Sequence, residues 1–421
     1  GDCYHLTGRH KQAAVVYKDA LGRCKVHGDT TAPEAIERLL SVSEAPSPRA
    51  WEARLCQKVG AAYSRTHCDY ERSLAWLDRA WQALPPREVA LAAQIDATRS
   101  ATLAWVGRNE EAVRAARRAS AIARRLGDQA LRARAATTIA PALQELGELK
   151  LSARYRRLAL DLYRQVGDLP GQAAAHSNLS VWYVLIGRLD LAVHHSREAL
   201  RIDERTGDLT GAAITHTNLA ENLMMQGETN EALAHLQAAL DLCEQAGGRD
   251  TTVVGFVLAQ FSRAYALQGR NEEATKRLDE SVTMLQRTGA ATVLAEARLQ
   301  RAELLLAEGQ YAQAVAQCER GLSEARELGM KVVEMRGLRL MGRIERLRLD
   351  LSNSERYLRE SEDLARRSSA PFDLGLALLD LAETRAAAGR PYRRVLATAT
   401  ALLAPTGAVP DIERARALAE A

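Results

Sequence analysis

The sequence predicts an all-α chain, an α-solenoid of about ten helix-turn-helix units, and three observations carry that expectation. First, a turn glycine recurs about every forty residues, at Gly107, Gly147, Gly187 and Gly227, then at Gly269, Gly309 and Gly389. Each opens a similar phrase, among them GRNEEAV, GRLDLAV and GQYAQAV. Gly8 belongs to the set, and Cys68 and Leu349 mark degraded copies. Self-similarity at such a period marks stacked units, each too thin to bury its own apolar face alone. Second, two columns are uniformly small. Seven residues before the anchor stand Ala61, Ser100, Ala140, Ser180, Ala220, Ser262, Ala302 and Gly342. Twelve after it stand Ala80, Ala119, Ala159, Ala199, Ala239, Ser281, Gly321 and Ser361. Small residues on both sides of a turn mark a close helix–helix approach that a larger side chain would overpack. Third, a second punctuation follows each anchor by about twenty residues: Gly-Asp at 127–128, 167–168 and 207–208, then Gly289 and Gly329. Gly ends a helix in a left-handed cap, and the following Asp caps the next helix.

In chain order, residues 1–50 read as an irregular N-terminal repeat and capping segment, broken by Pro46 and Pro48. The regular array is expected over 51–410, each unit being helix A, tight turn, helix B, tight turn. Pro85 and Pro86 end a helix B. Pro141 falls inside helix A of the Gly147 unit, where a proline removes a hydrogen bond and bends the helix. In the Gly227 unit, Ala232, Leu233, Leu236, Ala239, Leu240 and Cys243 recur at spacings of three and four, which is one apolar helix stripe. The Gly309 unit repeats it with Ala314, Val315, Cys318, Leu322 and Ala325. The last two units are the least regular, as suits an end that must face water. Residues 411–421 read as a C-terminal tail.

The charge balance, 57 basic against 53 acidic residues, is too even to attract nucleic acid through a global field. Six cysteines without a C-x-x-C pair point to free thiols in a reducing compartment. No stretch is long and apolar enough for a membrane span, so a cytoplasmic chain is expected. There is no phosphate loop, no H-E-x-x-H and no G-x-S-x-G, so no catalytic residue, cofactor or enzyme activity is expected. His176 and His216 are forty residues apart, as are His195 and His235, so each pair should stack on adjacent units as structural side chains rather than metal ligands. The chain opens inside a helix A position, which suggests a segment of a longer protein.

The phrases NLSVWYVLIGRLDLAVHHSREAL (178–200) and NLAENLMMQGETNEALAHLQAAL (218–240) resemble the tetratricopeptide repeat. The forty-residue unit is similar to those of kinesin light chains and of bacterial STAND-type ATPase regulators and class III adenylate cyclases, which carry such arrays C-terminally. The resemblance implies a right-handed superhelix of a little over one turn, with helix A lining a concave groove. It also implies a non-catalytic protein- or peptide-binding scaffold or sensor. This would be the regulatory part of a bacterial signalling or transcription-control protein, with an ATPase or output domain outside this chain. A small-molecule-sensing receptor domain is one alternative. A self-association scaffold, oligomerising through its end repeats, is another. Asn178 and Asn218 match the family's peptide-holding Asn, whose amide both donates to and accepts from a peptide backbone. Thr98, Thr138, Gln260 and Gln300 stand at the same position elsewhere, with Glu221, Arg263 and Glu303 three residues further on and Arg134 one turn before Thr138. The Lys and Asn partners of the family's carboxylate clamp are missing, so recognition of chaperone C-termini is not expected.

Overall fold

The computed structural model describes residues 48–64, 69–247 and 252–420. The Gly8 unit and Cys3, Cys24 and Cys68 lie outside them. The described residues form nineteen α-helices and no strand. They are α1 (Pro48–Ala62), α2 (Tyr70–Ala83), α3 (Val89–Trp105), α4 (Asn109–Leu126), α5 (Gln129–Glu145), α6 (Leu149–Val166), α7 (Leu169–Leu185), α8 (Leu189–Thr206), α9 (Leu209–Gln226) and α10 (Thr229–Gln245). The second half holds α11 (Thr252–Leu267), α12 (Asn271–Thr288), α13 (Ala291–Ala307), α14 (Tyr311–Glu327), α15 (Lys331–Leu347), α16 (Leu351–Ser368), α17 (Pro371–Ala387), α18 (Arg393–Leu403) and α19 (Val409–Glu420). Odd-numbered helices up to α17 are helices A and their successors are helices B. The stretch 411–420 belongs to α19.

Local chemistry sets the helix ends. The side chains of Asp69, Asp128, Asp168, Asp208 and Asp350 each accept a hydrogen bond from the backbone N–H three residues on, at 2.9–3.0 Å. That satisfies one of the four N–H groups a helix start leaves open. The anchors take positive φ, and Leu349 is held there too, at φ 66°, where every other described unit except the Cys68 unit has Gly. Helix α5 runs unbroken through Pro141. The two small columns are sealed: Ser100, Ser180, Ala220, Ser262 and Ala302 before the anchor and Ala80, Ala119, Ala199, Ala239 and Ser281 after it have no accessible surface.

The superhelix is wound more tightly than the sequence suggested. The turn joining helices A and B of one unit packs on the opposite edge of the unit five further along. Tyr70 shares a hydrogen bond with Thr252 at 2.9 Å, and the Thr292 hydroxyl donates to the Trp105 carbonyl at 3.4 Å. A methyl group placed on Gly107 would lie 2.9 Å from Leu328, one on Gly147 2.7 Å from the Ser368 hydroxyl, and one on Gly187 2.6 Å from Thr406 Cγ2. Leu149 and Leu185 join a core otherwise built from residues beyond 290, and Val184, Leu189 and Ala192 join the core around Phe372, Leu379 and Leu403. Helix α9 meets α19 in the same way. Five units therefore complete a turn, and the array makes nearly two turns rather than a little over one. The pitch depends on small rotations between units, which add up along the chain and leave no mark in any single repeat column.

Candidate functional site

Neighbouring units touch directly through their A helices, α5 on α7, α7 on α9 and α9 on α11. Helix A is thus on the inside of the curve, where successive units are closest. Because each turn rests on the next, the A helices of both turns form one continuous inner face.

The donors of the amide column on these A helices are partly committed. Asn218 Nδ2 donates to Ser177 Oγ at 3.0 Å, and Gln300 Nε2 donates to the Ala259 carbonyl at 2.8 Å. Both bonds tie a unit to the one before it. Thr138 Oγ1 donates to the Ala135 carbonyl at 3.2 Å, within its own helix. Asn178 is half-buried, and its backbone carbonyl accepts from Arg156, a buried guanidinium that also donates to Gln144 Oε1 at 2.6 Å. Burial pulls Arg156 down to about 10. Gln260 is buried, and its Oε1 has no hydrogen-bond partner. Arg134 is exposed one turn before Thr138.

Three residues after the amides runs a column of alternating sign: Glu221, Arg263, Glu303, Arg343, Glu383. Arg263 pairs with Glu221 at 3.3 Å and Arg343 with Glu303 at 3.6 Å, while Glu383 is held by Arg346 and, at 3.0 Å, by Arg414. Sequence reasoning found only the first three. Arg343 and Glu383 continue the same forty-residue spacing, so the signal was present. One turn before the amides, Glu296 pairs with Arg336 at 3.2 Å.

Arg336 is the centre of this interior. Burial pulls its pKa down, but Glu296, Asp373, Glu221 and Glu145 outweigh that and hold it above the ordinary arginine value. Those carboxylates come from four different units of both turns. Glu296 keeps 41% of its side-chain surface accessible, yet desolvation raises its carboxyl. Burial, with Glu296 adding to it, pushes Glu145 up to about 7; its Oε2 is buried without a hydrogen-bond partner. Burial likewise raises Asp373, against Arg336 and Arg339. Glu145, Asp373 and Arg336 had no sequence signal as a group, because the stacked turns bring them together.

The histidines pair differently from the expectation. His176 Nδ1 meets His195 Nδ1 at 2.8 Å, and His216 Nδ1 meets His235 Nδ1 at 2.8 Å, so each bond joins helix A to helix B of one unit. A shared hydrogen bond between two imidazoles requires one donor and one acceptor, so the accepting ring must be neutral. Burial holds His176, His195 and His216 down at about 4. The unfolded chain takes up protons from about pH 6.5 downward and the folded chain does not, so stability falls as pH drops from about 6.5 to 4. Glu145 and Asp203, both raised to about 7, act in the opposite sense and lose their contribution as pH rises from about 4 to 7. A His216→Gln/His235→Gln variant is expected to show a shallower loss of stability in urea titrations between pH 6.5 and 4. An unchanged pH slope would contradict this assignment.

Among the described residues no group of three or more His, Cys, Asp or Glu is placed to hold a metal ion, and no helix is long and apolar enough to cross a membrane. Cys56, Cys243 and Cys318 are buried and in no disulfide, and burial pushes Cys243 up to about 11.

The tetratricopeptide repeat family model matches residues 132–205 and 211–287. The chain matches no curated protein. Its backbone is similar to a Rap protein complexed with competence and sporulation factor, at 15% identity over 88% of this chain and 99% of that one, with a TM-score of 0.60. It is also similar to the Rap conjugation gene regulator of the plasmid pLS20 in complex with the Phr* peptide, at 15% identity over 68% and 78% of the two chains, with a TM-score of 0.55. NprR in complex with its cognate peptide NprX matches at 14% identity over 78% and 91%, with a TM-score of 0.54. At such identities the likeness is one of fold. The repeat columns and the paired helices make this chain an α-solenoid, and its segments 132–205 and 211–287 are similar to tetratricopeptide repeats.

Proposed function

We propose that the chain is a sensor array that binds an extended peptide, or a protein segment, along the inside of its superhelix. The carrying observation is the pair of inner columns: amides at Asn178, Asn218, Gln260 and Gln300, and alternating charge from Glu221 to Glu383. Backbone-binding amides and charges repeated at a fixed step suit a ligand that is itself a repeating polar chain. A small apolar ligand would need a dry pocket with few polar groups, and this interior is polar along its length. Similarity in fold to three complexes, with competence and sporulation factor, the Phr* peptide and NprX, supports the same reading. The array would then act as the regulatory part of a signalling or transcription-control protein. Ligand occupancy would bias a joined ATPase or output domain between two states.

The test is a displayed library of random hexapeptides panned against the wild-type chain, with enriched peptides measured by fluorescence anisotropy on wild type and on an Asn178→Ala/Arg263→Ala variant of equal helicity. Enrichment, with binding at least about tenfold weaker on the variant, matches the loss of charge-assisted and amide hydrogen bonds. Equal affinity for both proteins, or no enrichment, overturns the proposal.

A further inference from the structure

The contact between superhelical turns shows which faces of these units fit one another, and the chain carries more of each face than it uses. Gly107, Gly147 and Gly187 each have a neighbour from the second turn within 3 Å of where a methyl group would stand. Their counterparts in the second turn, Gly269, Gly309 and Gly389, have nothing within 4 Å. On the opposite edge of the first turn, Gly127, Gly167 and Gly207 are equally uncovered.

Both uncovered edges carry exposed apolar side chains among their charged ones. Leu267, Leu347 and Leu349 are 55%, 48% and 83% exposed on one, and Leu126 and Val166 are 49% and 41% exposed on the other. Leu126 and Val166 stand just before Gly127 and Gly167, as Leu328 stands just before Gly329. Leu328 is the side chain that packs on Gly107. The free edge of the first turn therefore repeats the part that fills the intramolecular contact, and the free edge of the second turn repeats the part that receives it at Gly269, Gly309 and Gly389, with Leu349 standing where the first turn has Gly147.

We infer that this chain associates head to tail with a second copy of itself. The Leu126/Val166 edge of one molecule seats on the Leu267/Leu347/Leu349 edge of the next. The contact reproduces between molecules what already exists within one, and burying these side chains supplies the driving force. Two different faces meet, so each added copy leaves one of each face free, and growth gives open chains rather than a closed dimer. The inference rests on the turn-to-turn contact alone and is independent of what the interior binds.

Sedimentation velocity tests it with the full chain and two variants, Leu347→Asp/Leu349→Asp and Leu126→Asp/Val166→Asp. Wild type is expected to grow past the dimer as concentration rises, and each variant alone should remain monomeric. An equimolar mixture of the variants should form a dimer and stop there, because one intact face remains on each molecule; this also shows that both are folded. A wild-type protein monomeric at every concentration, variants that self-associate like wild type, or a mixture that stays monomeric would each overturn the inference.

Discussion

Replacing Asp380 by Ala is expected to destabilise the C-terminal end of the array by about 3–5 kcal/mol, the range for breaking a buried ion pair on one side. Asp380 on α17 has no accessible surface, and its Oδ1 accepts from Arg414 of α19 at 2.6 Å. Arg339 lies 3.8 Å from its other oxygen. Burial alone would raise this carboxyl, but Arg339, Arg343 and Arg414 hold it below the usual aspartate value. Alanine would take a buried carboxylate away from these half-buried guanidinium groups and loosen the dock of α19. Asp380→Asn, which keeps the shape and an acceptor, should cost less. In hydrogen exchange, the loss of protection in the Ala variant should concentrate in 371–420. Uniform loss along the chain, or wild-type protection, would show that Asp380 does not hold this end.

Gly187→Ala should cost about 1–3 kcal/mol more than Gly207→Ala, the range for overpacking a tight contact. The two glycines share a φ of 70°, so both substitutions carry the same left-handed backbone penalty. They differ in surroundings. Nothing lies within 4 Å of a methyl group on Gly207, whereas one on Gly187 would meet Thr406 Cγ2 at 2.6 Å. Thr406 cannot swing aside cheaply. It is buried, its hydroxyl donates to the Leu403 carbonyl at 2.7 Å, and that hydroxyl accepts from the Ala408 N–H at 3.1 Å. The difference between the two variants in chemical unfolding thus reads the turn-to-turn contact directly. Equal destabilisation would mean that the turns part without loss.

What the sequence showed plainly were requirements met inside one unit. A close helix crossing needs a small side chain, so Ser100 and Ala220 are recognisable without any structure. A helix end needs a cap, so Gly167 and Asp168 mark one. Relations that depend on how units add up were not legible in this way. Glu145 shares its repeat position with Trp105, Leu185 and Met225, so no column marks it, and it meets Glu296 and Arg336 only because two turns touch. The histidines illustrate the same limit. Their forty-residue spacing suggested stacking between units, but the hydrogen bonds run across one unit, between residues nineteen apart. Arg343 and Glu383 are the opposite case, a periodic signal that was present and not followed to its end.

The touching turns change what kind of object this solenoid is. A spring with gaps between its coils transmits force only along the wire, whereas one wound until the coils meet behaves as a tube. Residues about two hundred apart in sequence, such as Tyr70 and Thr252 or Trp105 and Thr292, are here in direct contact. Such pairings raise the contact order, which slows folding because distant segments must meet before they reward each other. They also join units that would otherwise melt one after another. The chain should therefore lose its structure in fewer, broader cooperative blocks than an open array of the same repeats.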